Sequence, residues 1–126
     1  MKIMIVDDEQ DVEILFVQKF RKEIKSKQLE VEFAFSGEEA LEKLGSPESP
    51  NVVYVFSDIN MPGMSGLELL ENIKTRFPKI EVSMISAYGD KDNYNKAIKS
   101  GAKGFFTKPV DFDSLKKEIK EILNKN

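Results

Sequence analysis

Neither cysteine nor histidine occurs among the 126 residues of this chain. Without cysteine, disulfides and thiolate chemistry are excluded. Without histidine, the chain has no imidazole base, no histidine zinc ligand and no phosphohistidine. No apolar stretch approaches the ~20 residues needed to cross a bilayer. The N-terminal MKIMIVDDEQ turns acidic after four apolar residues, too short a run for a signal peptide. Nor does one charge sign dominate: 19 basic residues face 22 acidic ones, for a formal net charge of -3. Nothing therefore pulls the chain as a whole toward nucleic acid or an anionic membrane. The lysines are interspersed with acids, with no basic tract. The phrases G-x-x-x-x-G-K-[ST] and G-x-G-x-x-G do not occur, which counts against a nucleotide-binding enzyme. The reading is a cytoplasmic protein whose chemistry rests on carboxylates, hydroxyls and amines.

What is present is a regular alternation of short β-branched runs with longer amphipathic ones. KIMIV (2–6) reads as a strand. DVEILFVQKFRKEIKSK (11–27) follows as one helix, with Val12, Phe16, Phe20 and Ile24 at four-residue spacing forming its apolar stripe. LEVEFAF (29–35) alternates apolar residues with Glu30 and Glu32, the pattern of a strand near a sheet edge. Ser36 and Glu39 then form a capping-box signature for a helix carrying Ala40, Leu41 and Leu44, stopped by Gly45 and Pro47. VVYVFS (52–57) shows no alternation, as expected of a central parallel strand covered on both faces. Ser65 caps GLELLENIKTRF, and Pro78 closes the turn after it. IEVSMIS (80–86) is the fourth strand. The next helix, DKDNYNKAIKSG (90–101), is polar, with Tyr94, Ala97 and Ile98 as its apolar anchors. AKGFFT (102–107) is a short fifth strand. A last helix has the stripe Phe112, Leu115, Ile119, Ile122 and Leu123. The expectation is a single (βα)5 domain over residues 1–126, an α/β fold with an open five-stranded parallel sheet and helices on both faces.

Ligands of an open α/β sheet bind at the carboxyl ends of its strands, and the reactive residues fall there. Strand one ends in Asp7, Asp8 and Glu9, strand three in Asp58, strand four in Ser86, and strand five in Thr107 and Lys108 before Pro109. Crowded carboxylates repel one another unless a cation joins them. An all-oxygen set favours a hard ion such as Mg²⁺. Asp8 and Asp58 suit direct ligation, the Asn60 backbone carbonyl a third position, and Asp7 a contact through water. The plainer alternative, weaker for either residue alone and much weaker for the full set, is that Asp7 or Asp8 caps the first helix or loop. A metal beside Asp58 suits phosphoryl transfer, with Asp58 as nucleophile and an acyl phosphate as product. Lys108 would pair with one phosphoryl oxygen, and the Ser86 hydroxyl with another. Pro109 biases Lys108 away from α geometry and leaves the isomer of the bond between them open. Pro62, Gly63 and Gly66 make PGMSG a tight turn that braces Asp58.

The phrases KIMIVDDE, FSDINMPGMSGLELL, MISAYGD and GAKGFFTKPV occur in the order in which this chain resembles a response-regulator receiver domain of two-component signal transduction, in the CheY-like superfamily. The resemblance spans nearly the whole chain and implies strand order 2-1-3-4-5. It implies that Asp58 is the phosphorylated aspartate and Lys108 the invariant lysine. Asp7 and Asp8 would then be the acidic pair around Mg²⁺ (with Mn²⁺ able to substitute), and Asn60 the carbonyl ligand. Ser86 stands at the switch position and Phe105 at that of the switch aromatic, with ring but without hydroxyl. By the same resemblance, Met61, Ala87, Tyr88 and Pro109 would flank the pocket and tune it. Tyr88 offers no acid or amide to position water, so a long-lived phosphoryl group is expected. The implied role is a signalling phosphoacceptor rather than an enzyme with an external product. It would take its phosphoryl group from the phosphohistidine of a sensor histidine kinase or phosphotransfer protein. The fourth helix, fifth strand and fifth helix would then switch toward a downstream target or a C-terminal output domain, and a phosphorylation-dependent dimer is compatible with this. Two alternatives remain open at this point. One is a binding module that does not use phosphorylation. The other, an aspartyl-phosphate phosphohydrolase, is disfavoured because no second acid stands two residues after Asp58.

Overall fold

The computed structural model describes residues 1–47, 51–86, 91–108 and 111–124. Ala87, Tyr88 and Pro109, and the side chain of Leu123, lie outside the described residues. Five strands, β1 (Lys2–Val6), β2 (Glu30–Ala34), β3 (Val52–Asp58), β4 (Glu81–Ser86) and β5 (Gly104–Thr107), form one parallel sheet in the order β2-β1-β3-β4-β5. The helices are α1 (Gln10–Lys19), α2 (Arg21–Lys25), α3 (Gly37–Leu44), α4 (Gly66–Arg76), α5 (Lys91–Lys99) and α6 (Phe112–Asn124). The fourth and fifth helices expected from the sequence are thus α5 and α6.

Successive strand residues point to opposite faces, and β1 shows the division. Met4 and Val6 pack with Ala40 and Leu41 of α3, Leu69, Leu70 and Ile73 of α4, and Ala97 of α5. Ile3 and Ile5 pack with Phe16 of α1, Phe20, and Leu115 and Ile119 of α6. Both faces are therefore covered, and β3 is buried along its length except at Val53. Acidic β2 lies at the edge, as its alternation predicts.

The single helix expected over residues 11–27 is two. Phe20, at φ -105° and ψ 21°, separates α1 from α2. Residues four apart drift roughly 40° per step around a straight helix, about 120° from Val12 to Ile24. The break at Phe20 offsets that drift, so Val12, Phe16, Phe20 and Ile24 all reach the same core. The Ser36 cap forms, with Glu39 N–H donating to Ser36 Oγ at 3.0 Å. The Glu39 carboxylate, however, accepts from Phe35 N–H at 3.2 Å, not from Ser36. The reciprocal box forms instead at Ser65 and Glu68. In α5, only Ala97 of the three expected anchors is buried; Tyr94 and Ile98 are 48% and 43% exposed.

One buried polar cluster crosses the α6 side of the sheet. The Tyr54 hydroxyl, inside the apolar run of β3, bonds to Ser83 Oγ and to Glu118 Oε1 of α6. Burial pushes the Tyr54 phenol upward, so it remains a neutral donor.

The turn after β3 is closed by Gly66 N–H donating to the Ile59 carbonyl at 2.8 Å. At Gly66 a methyl group would lie 2.1 Å from the Asp58 carbonyl oxygen and 2.8 Å from Ile59 Cα. Both obstacles are backbone, which cannot step aside as a side-chain end can. Gly66→Ala should therefore destabilise the fold by roughly 3 kcal/mol, read as a lowered urea midpoint. An unchanged midpoint would mean that the turn is looser than its contacts indicate.

Candidate functional site

Each functional side chain is placed by backbone bonding at a strand end. Asp7 follows β1, and its N–H donates to Ala34 O at 3.1 Å, continuing the ladder with β2. Asp58 is the last residue of β3, opposite Ile85, and Ile59 N–H donates to Ile85 O at 3.1 Å. Lys108 follows β5, with its N–H donating to Ser86 O at 2.7 Å. The β1, β3, β4 and β5 ends thus deliver their residues to one rim.

Asp7 and Asp58 are nearly buried, at 5% and 4% exposure, while Asp8 is exposed. One oxygen from each of Asp7, Asp8 and Asp58 fits within a mutual distance of 4.8 Å. Lys108 Nζ lies 3.2 Å from Asp58 Oδ2 and 3.7 Å from Asp7 Oδ2. Glu9 N–H donates to Asp7 Oδ1 at 2.9 Å.

Burial is the largest influence on both buried acids and pushes them above the usual carboxylate range. The neighbouring carboxylates push the same way, against the Glu9 N–H at Asp7 and the Lys108 ammonium at both. Burial alone would lower Lys108, but the Asp58 and Asp7 charges outweigh it and hold the ammonium above its ordinary range. Three carboxylates against one ammonium leave two negative charges when all are ionised. That remainder, in an all-oxygen cluster, matches a hard divalent cation.

Ser86 is fully buried at the end of β4. Asn60 is exposed on the loop after β3, while Met61 turns its side chain into the core shared by α3, α4 and α5. Phe105 is half-buried, and the Tyr94 ring stands edge-on to it at 5.2 Å. The sequence reading missed the Glu9 amide that holds Asp7. It also missed Glu38, whose carboxylate accepts from Met64 N–H at 3.3 Å. Backbone donors leave no residue-type signal, and Glu38 reads as one more first-turn acid of a helix.

The raised acids give a pH dependence of defined sign. A carboxyl raised on folding contributes stability that is complete below its unfolded pKa and is lost as pH rises through its folded pKa. As pH rises, the metal-free protein therefore takes on the cost of ionising Asp7 and Asp58. Asp7→Asn, which keeps an acceptor for Glu9 N–H, should raise the metal-free melting temperature at pH 7 by a few degrees, each kcal/mol being worth roughly 4 °C at this size. The gain should shrink as pH falls toward the ordinary Asp range. A lowered melting temperature in the presence of EDTA would show that Asp7 is compensated in a way these contacts do not capture.

The same fold and strand order recur in known proteins. The family model for the response regulator receiver domain matches residues 3–120. The chain is 34% identical over 122 residues to sporulation initiation phosphotransferase F of Bacillus subtilis, covering 97% of this chain and 93% of that protein. It is 35% identical over 119 residues to the response regulator protein PilR of Pseudomonas aeruginosa, covering 94% of this chain but 25% of that protein. Among solved structures, a CheY-like response regulator receiver domain protein from Methanospirillum hungatei superposes with a TM-score of 0.83 at 30% identity, over 98% of this chain and 94% of that one. A receiver domain protein from Clostridium thermocellum gives 0.80 at 30% identity, over 98% and 94%. With the fold, the strand order and nearly the whole length in agreement, this chain belongs to the response regulator receiver domain family.

Proposed function

We propose that the chain is a phosphoacceptor that receives a phosphoryl group on Asp58 from a phosphohistidine of a sensor histidine kinase or phosphotransfer protein. The observation that carries this reading is the ammonium of Lys108, 3.2 Å from Asp58 and 3.7 Å from Asp7, both nearly buried. An Asp58 carboxylate oxygen attacks phosphorus, the phosphorus–nitrogen bond of the donor breaks, and its imidazole leaves with the bonding electrons. The product is an acyl phosphate, and Lys108 is placed to pair with one of its oxygens. Asp8, Asp58 and the Asn60 carbonyl would hold Mg²⁺, with Asp7 reaching it through water. When bound, the ion supplies neutralisation of phosphoryl charge.

The phosphoryl group adds roughly 1.5 to 2 negative charges at neutral pH. A hydrogen bond from Ser86 would draw the end of β4 toward Asp58, and Phe105 would shift into the space behind it. The responsive surface is then α5, β5 and α6, acting on a target protein or an output domain by shifting populations of pre-existing states. The donor has a surface of its own. Ile14, Leu15 and Val17 of α1 are exposed by 58%, 44% and 45%. Of these, Leu15 also lines a cavity of about 270 Å³, together with Asp7, Glu9, Val12, Phe16, Ile85, Lys108 and Phe112. Exposed apolar side chains on α1, one of them lining a cavity that reaches Asp7 and Lys108, suit a protein donor better than a small molecule. The similarity to a sporulation phosphotransferase supports a relay role, in which the phosphoryl group passes on to a further acceptor.

Incubation with Mg²⁺ and acetyl phosphate, followed by intact-mass measurement, tests the reading. One added phosphoryl group of roughly 80 Da is expected, absent from Asp58→Asn and from an EDTA control. If no adduct forms and a fluoride-based phosphoryl mimic also leaves the domain unperturbed, phosphorylation is abandoned in favour of a binding module. Once the adduct is made, Tyr88→Glu should shorten its lifetime severalfold by supplying a group that positions water. Equal release rates would remove Tyr88 from the account.

A further inference from the structure

The cation ligands of the proposed function differ in how they are held. Asp58 ends a central strand and Asp8 follows one, but the third is a backbone carbonyl in a loop, so its position is only as fixed as the loop. The base of that loop is pinned by Ile59 N–H to Ile85 O and Gly66 N–H to Ile59 O, at 3.1 and 2.8 Å. Its outer limb, Pro62 to Met64, crosses toward the first turn of α3. Pro62 has no N–H to give, and Gly63 sits at φ +75°, a conformation that favours glycine.

Two contacts from α3 meet this limb. The Glu38 carboxylate accepts from Met64 N–H at 3.3 Å and lies 2.8 Å from where a Gly63 Cβ would stand. Beneath it, buried Gly37 lets the Met64 side chain approach so closely that a methyl on Gly37 would lie 2.9 Å from its sulfur. One residue thus provides room and the next provides a bond, on consecutive positions of one helical turn.

We propose that Glu38 is a positioning residue for the cation site. By holding the peptide between Gly63 and Met64, it fixes the loop that carries the Asn60 carbonyl and so preorganises the third ligand. This rests on the proposed function, because it requires the cation to bind at this rim. Outer-shell partners of metal ligands typically contribute about 10- to 100-fold in affinity. A single exposed bond acting through the backbone belongs below that range, at about threefold to tenfold.

The test is calorimetric titration of Mg²⁺ into the full chain, with hydrogen exchange of the Met64 amide measured in EDTA. Glu38→Ala should weaken Mg²⁺ binding about threefold to tenfold and speed exchange at Met64, with little change in melting temperature. Glu38→Gln removes the same charge but keeps an oxygen acceptor, and should restore most of both readouts. If Gln is as weak as Ala, the effect is long-range attraction of the cation by the carboxylate, and positioning is overturned. It is overturned equally if Glu38→Ala binds Mg²⁺ as the wild type does. If the wild type itself binds no Mg²⁺, the cation site of the proposed function fails, an outcome distinct from a wild type that binds and a Glu38→Ala variant that binds equally well.

Discussion

Two carboxylates withdrawn from water beside a third, with one ammonium between them, are the constraint on which the site depends. Asp7 and Asp58 are almost fully buried and Lys108 bridges them. Removing a charge from water costs several kcal/mol unless partners replace the hydration, and one lysine cannot balance three acids. The fold holds this arrangement because the backbone leaves no alternative. Both buried acids hang from a strand ladder whose register is fixed by a two-sided apolar core. The rim is thus a built-in deficit of positive charge, which on the proposed reading a divalent cation fills beside the lysine, the two cations then neutralising the incoming phosphoryl group.

The same constraint explains why the loop after Asp58 is so closely specified. A nucleophile contributes only if its carboxylate is aimed, and the segment from Ile59 to Gly66 turns the chain within van der Waals reach of Asp58's own carbonyl oxygen. Gly66 is there because backbone meets backbone. Gly63 is there because its φ is positive. Met61, buried in the core, ties the middle of the loop inward, and the Ser65–Glu68 capping box starts α4 directly behind it. Loop and helix therefore continue directly from β3, and on the proposed reading a distortion along them reaches Asp58.

Strand identities, edge and centre were legible in the sequence, because period and charge placement report burial directly. Glu30 and Glu32 marked an edge strand, and the unbroken run to Asp58 marked a central one. Asp7, Asp8, Asp58 and Lys108 were legible as a group because strand ends in an α/β sheet converge. What was not legible depended on tertiary contacts that outvote local pattern. The helix break at Phe20 follows from a drifting stripe that must stay on one core. Glu39 bonds to Phe35 rather than closing its own box, a choice between two neighbouring amides that composition does not encode. Tyr54 read as one more apolar residue, and its hydroxyl found Ser83 and Glu118 across elements far apart in the chain. Tyr94 and Ile98, apolar by type, turned out half-exposed.

That last difference separates the two helices of the expected output surface. α6 is held by Leu115 and Ile119 in the core, by the Phe112 ring edge-on to Phe16 at 5.3 Å, and by the Glu118 bond to Tyr54. α5 offers one buried residue, Ala97, and an aromatic contact from Tyr94 to Phe105. Local opening is easiest where few apolar contacts must be broken, so the two helices cannot respond equally to the same push. On the proposed reading, a displacement beginning at Ser86 reaches Phe105 through β5, and Phe105 is also what Tyr94 leans on. Movement of that one ring would loosen α5 more than it loosens α6. On that reading the response is largest in α5 and β5 and smallest in α6, which gives a partner a steadier surface to grip beside a more variable one to read.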